Sequence, residues 1–201
     1  MGQLTVYTSD NDTSLKQSGP DAPYYADAYL DVNPLMIAAA RKTNVLLRFN
    51  FNSLSSSTII SAILSLYYYS YTVDLGVNDP VGRTITCSEV TETGWVYTEA
   101  CWNHYAGTTH WTAAGGDYTG TNSVNDTVPA SFGWMDWDIT TLIQHFKTSH
   151  SGIANLILTD PNTVAESDYR TTGFRQGNYA DVSYRPKLVI TYKAVPQIMI
   201  F

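Results

Sequence analysis

Charge is scarce in this chain. Only 14% of its 201 residues are Asp, Glu, Lys or Arg, against about 25% in an ordinary soluble domain. The 11 Lys and Arg are outnumbered by 18 acids, leaving a formal net charge of −7. They are scattered and form no stripe. A nucleic-acid binder needs a basic track that displaces counterions from phosphates, so nucleic acid is excluded as a direct ligand. The acidity reads as solubility. Long apolar runs are also missing. The best candidate, Ile59 to Tyr71, is interrupted by Ser61, Ser65 and Ser70 and falls short of the roughly 20 residues of a membrane span. No membrane partner is expected. Residues 1–20 lack a basic start and an apolar core, so no secretory leader is expected. Cys87 and Cys101 are the only cysteines. Two cannot make a disulfide framework or a zinc site by themselves. They are either one cross-strand bridge or two reduced, partly buried thiols.

What the chain does have is sheet chemistry. Its 15 Tyr and 5 Trp suit pleated, half-buried surfaces. Strands are predicted at Leu4–Tyr7, Ala28–Val32, Asn44–Asn52, Ile59–Tyr71, Arg83–Val90, Trp95–Trp102, Phe132–Trp137, Ile153–Thr159, Thr171–Arg175 and Leu188–Tyr192. In Asn44–Asn52, Val45, Leu47, Phe49 and Phe51 share one face, with Leu46, Arg48 and Asn50 on the other. In Ile59–Tyr71, Ile60, Ala62, Leu64, Leu66 and Tyr68 oppose Ile59, Ile63, Tyr67, Tyr69 and Tyr71. Apolar groups on both faces suggest a central strand covered, at least partly, on both sides. Ser9–Pro23 reads as loop, and Pro34–Lys42 stays open between a helical turn and an irregular connection. Asn103–Ala130 is polar and Gly-rich, a long loop of the kind that is often functional. One helix is expected after Asp138 or Thr140, burying Ile139, Leu142, Ile143 and Phe146. Many short strands with one short helix predict an all-β, jelly-roll-like antiparallel sandwich over residues 1–193. An apolar tail, residues 194–201, follows.

Catalytic patterns are sparse. Asp136 and Asp138 share a strand face and could act as acid and base, but a helix cap and a polar edge explain them more simply. No nucleophile elbow and no phosphate loop is present. No catalytic residue is assigned. His104 and His110 share a loop with Asp117, yet a third metal ligand of known geometry does not accompany them. Asp10, Asp12 and Asp117 are hard oxygen donors that a structural calcium ion would use, and Asx-turn capping accounts for Asp10 and Asp12 equally well. The metal is left unassigned and no other cofactor is expected. Tyr105, Trp111 and Tyr118, near Asn103, His110 and Asp117, could stack on sugar rings. The simpler role for Trp111 and Trp102 is as core or loop anchors.

Several segments fall in a telling order: Leu46-Leu47-Arg48-Phe49-Asn50, Ala62-Ile63-Leu64-Ser65-Leu66-Tyr67, Cys101-Trp102-Asn103, Asp138-Ile139-Thr140-Thr141-Leu142-Ile143 and Arg185 to Tyr192. From Leu4 to Lys193 this order resembles the DNRLRE-type domain, a β-sandwich similar to one family of carbohydrate-binding modules. Asn50, Cys101 and Tyr97 depart from that pattern. The resemblance implies a non-enzymatic module that builds structures or binds glycans, on a virion surface or outside the cell. With its apolar end, the chain is expected to be a structural surface protein of a virus particle, a phage capsid decoration or tail-associated protein. It would associate with itself or with other virion proteins through Ile198, Met199, Ile200 and Phe201. The alternative is a carbohydrate-binding module that recognises cell-surface polysaccharide through Tyr105, Trp111 and Tyr118.

Overall fold

The computed structural model describes residues 1–8, 11–36, 40–70, 79–165 and 170–194. In chain order its strands are β1 (Gly2–Tyr7), β2 (Asp12–Lys16), β3 (Leu30–Val32), β4 (Leu35–Met36), β5 (Thr43–Asn50), β6 (Thr58–Ser70), β7 (Thr84–Val90), β8 (His104–Ala106), β9 (Thr109–His110), β10 (Tyr118–Thr127), β11 (Gly133–Asp138), β12 (Ile153–Thr159), β13 (Thr163–Val164), β14 (Thr172–Phe174) and β15 (Lys187–Lys193). Two antiparallel sheets hold most of them. The first runs β1-β15-β6-β14-β3, with β11 on the opposite side of β6. The second runs β10-β7-β12-β5-β2. The result is the expected all-β sandwich. Helix α1 (Thr140–Ser149) buries Leu142, Ile143 and Phe146, with Ile139 fully buried just before it. Asp138 Oδ1 accepts from the Thr140 N–H at 3.1 Å and its hydroxyl at 2.6 Å, tying down the helix entry.

Alternation along each strand sends one set of side chains between the sheets. Val45, Leu47, Phe49, Ala154, Leu156 and Leu158 face Ala62, Leu64, Leu66, Trp137, Leu188 and Ile190 in one core. A second cluster lies elsewhere. Leu15, Leu46, Val90 and Ile157 pack under Trp95, Ala100, Trp102 and Trp111. Residues alternating with the main-core set thus also find cover: the second sheet is capped by the excursion between β7 and β10.

Four expectations need correction. Asp12–Lys16, expected in a loop, is edge strand β2. Asp12 is buried because it is bonded: its Oδ2 accepts from the Thr8 hydroxyl at 2.9 Å and the Gly177 N–H at 2.6 Å. Trp95–Trp102 is not a strand. The Val96 carbonyl accepts from Glu99 N at 3.0 Å and Ala100 N at 2.7 Å, a helical-type turn that puts Trp95 and Ala100 inside. Asn103–Ala130 is not one loop either. It holds the β8–β9 hairpin and the ten-residue edge strand β10, whose open side needs no apolar alternation. Ile60 is 42% exposed while Ile59 is buried. Ser61 pairs with Thr191 and Ile59 with Tyr192, so a bulge skips Ile60 and swaps the faces. Both cysteines are buried and free. Asp10, Tyr71 and the tail residues Ile198, Met199, Ile200 and Phe201 lie outside the described residues.

Candidate functional site

The cap on the second sheet frames an open cleft of about 670 Å³. Asn44 at the start of β5 and Trp102 in the cap contribute to its wall, and Tyr118 opens β10 beside it. Thr91, Glu92, Thr112, Asp117 and Lys42 supply polar groups.

The rim is rigid for stated reasons. Gly115 N donates to Trp102 O at 2.7 Å, and Asn44 Nδ2 donates to Gly115 O at 2.8 Å. Gly115 and Gly116 have φ of +94° and +108°, a region that side chains resist. A Cβ on Gly115 would sit 2.7 Å from the Trp102 ring. Asp117 is held by the backbone of its own loop: its two oxygens accept from Thr112 N at 2.8 Å and Ala113 N at 2.7 Å. Asp117 O in turn accepts from Thr91 N at 2.9 Å. Burial lowers the pKa of the Lys42 ammonium, and Asp160 opposes the shift.

Asn44 carries an anomaly. It is 2% exposed, and its Oδ1 is buried with no partner among the described residues. An unpaired buried acceptor costs about 1–3 kcal/mol.

The three aromatic residues singled out in the sequence are not one platform. Tyr118 is 42% exposed and lines the cleft. Trp111 is 5% exposed and donates Nε1–H to Cys101 O at 2.9 Å, so it anchors the cap. Tyr105 is half-buried, with its ring 5.6 Å from that of Trp111. Asn44 and Lys42 escaped the sequence reading. The signal for Asn44 was a polar residue on the same face of its strand as Leu46.

A second aromatic surface lies on the outer face of the first sheet. Tyr67 packs 5.4 Å from Trp134 and 4.6 Å from Tyr184. Lys187 Nζ sits 3.7 Å over Trp134, and the Arg175 guanidinium 3.5 Å over Tyr69. The cations cover one side of those two rings and leave less area for stacking. Asp136 is exposed on β11, and Asp138 Oδ1 accepts from the Thr140 N–H and hydroxyl just ahead of α1.

A sandwich with an open polar cleft and a rigid rim is the build of a binding module. The model of carbohydrate-binding module family 96 matches residues 3–192. That span is nearly the whole chain, and the chain belongs to this family. No curated protein matches it. Among the described residues no helix is long and apolar enough to cross a membrane.

Proposed function

We propose that the chain is a carbohydrate-binding module that seats a polysaccharide segment in the cleft beside Tyr118. The observation that carries this is an exposed Tyr ring at the edge of a rigid polar cleft. Sugar rings offer an apolar C–H face and equatorial hydroxyls, so an aromatic face beside fixed donors and acceptors suits them. Family membership supports carbohydrate binding, while the self-associating virion role expected from the resemblance draws nothing from it. The aromatic face at Tyr67, Trp134 and Tyr184 is the second candidate surface.

The test is affinity electrophoresis and calorimetry on soluble neutral and acidic polysaccharides, comparing wild type, Tyr118→Ala and Trp134→Ala. Loss of about tenfold or more in affinity, ~1.4 kcal/mol, is expected for Tyr118→Ala, with Trp134→Ala unchanged. The reverse pattern would move the site to the first sheet. Absence of binding across the panel would end the reading.

A further inference from the structure

Among the described residues, two groups of side chains gather metal-ligand atoms outside the lining of the cleft. We propose that one of them, Cys101, His104 and Asp21, is a zinc-type site that ties the loop after β2 to the cap. This rests on its own geometry and not on the glycan reading.

Cys101 and His104 stand three residues apart in a tight turn. Cys101 N donates to His104 O at 2.9 Å, and His104 N donates to Cys101 Sγ at 3.3 Å. The turn brings both side chains to one side, with Sγ and Nδ1 3.3 Å apart. Asp21 Oδ1 approaches the same Nδ1 at 3.5 Å, and the three ligand atoms all lie within 4.8 Å of one another. Zinc bonds of about 2.0–2.3 Å at tetrahedral angles put neighbouring donor atoms roughly 3.3–3.6 Å apart. The edges of 3.3 Å and 3.5 Å match that spacing. One imidazole nitrogen carries at most one proton, which cannot serve both a sulfur and a carboxylate fully; a cation between the three serves all of them.

The surroundings hold each donor in place. Asn103 Nδ2 donates to Asp21 Oδ1 at 2.9 Å, and Asn103 N to Pro20 O at 2.9 Å. Trp111 Nε1 fixes the Cys101 carbonyl. The N–H on Sγ is the kind of outer bond that steadies a thiolate ligand. His110 pairs with His104 across β8 and β9, ring centroids 4.2 Å apart. A thiolate, imidazole and carboxylate set favours zinc over calcium or magnesium.

The second group is Glu89, whose Oε1 lies 3.0 Å from His150 Nε2 and 3.4 Å from His145 Nε2. It has no sulfur, which makes the two groups spectroscopically distinct. The experiment is titration of the reduced, metal-free chain with Co²⁺, followed by displacement with Zn²⁺. A near-ultraviolet thiolate-to-cobalt charge-transfer band, intense tetrahedral visible bands and loss of both with Cys101→Ser are expected, with His150→Gln unchanged. Should Cys101→Ser misfold, the surface change Asp21→Asn carries the test. It is expected to weaken Zn²⁺ binding roughly tenfold or more while the chain stays folded. Cobalt binding without the charge-transfer band, or binding lost only with His150→Gln, would overturn the proposal. So would no binding at all.

Discussion

Arg48 shows how one side chain can hold a cap on a sheet. Its Nε donates to Asn155 Oδ1 at 2.7 Å, and its Nη2 donates to Thr93 O at 3.0 Å and Trp95 O at 2.9 Å. The guanidinium lies 4.2 Å over the Trp95 ring, whose Nε1–H also reaches Asn155 Oδ1. A planar fork with fixed donors suits this task, where a lysine ammonium would not. Gly115 does comparable work at the cleft. Its φ of +94° and the Trp102 ring against its Cα leave no room for a side chain. Gly115→Ala is therefore expected to lower stability by about 1–3 kcal/mol and to weaken glycan binding with it. Gly120→Ala is the control, because a Cβ there meets nothing within 4 Å. Urea unfolding of the two variants checks this; equal, small effects would show that the rim adapts.

Between elements, the link from β2 to β3 carries a pH dependence. Asp31 on β3 lies 3.6 Å from Lys16 Nζ on β2. Burial raises its pKa from 3.8 to about 6, with Lys16 opposing. Between those values the folded chain keeps a proton that the unfolded chain releases. This contribution is complete below about pH 4 and is lost as pH rises through about 6. It amounts to roughly 2–3 kcal/mol. The melting temperature of wild type relative to Asp31→Asn should fall across that window and level off above it; parallel curves would refute the assignment. The sequence foretold the elements that alternate against one core, such as β5, β12 and β15, and the helix with its apolar stripe. It hid β2 and β10, which are edge strands whose polar residues need no alternation. It also hid the turn at Trp95, because alternation in a short aromatic run does not separate a strand from a folded cap. At the cleft, Tyr118 was legible as a loop aromatic. Trp111 was legible as a core or loop anchor; that buried Asn44 lines a pocket depends on how distant segments meet, which a local pattern does not carry.

At the scale of the whole molecule, the two apolar clusters share the second sheet but not their cover. The inner cluster is closed by two sheets and α1, and the outer one by the cap alone. Segments with fewer buried contacts open locally at lower free energy than the core. Native-state hydrogen exchange should therefore resolve a partial opening of residues 95–116 ahead of β5 and β12. Arg48→Met, which breaks three polar anchors and keeps an apolar stem over Trp95, should speed exchange in the cap far more than in the core. Zn²⁺ should slow it in the same segment, because an ion shared by Cys101, His104 and Asp21 would tie the cap to the loop after β2 and must be released before the cap can lift. If cap and core exchange together in every case, the sandwich and its cap are one cooperative unit. The cleft would then be as rigid as the core, and ligand entry would have to proceed without any lifting of the cap.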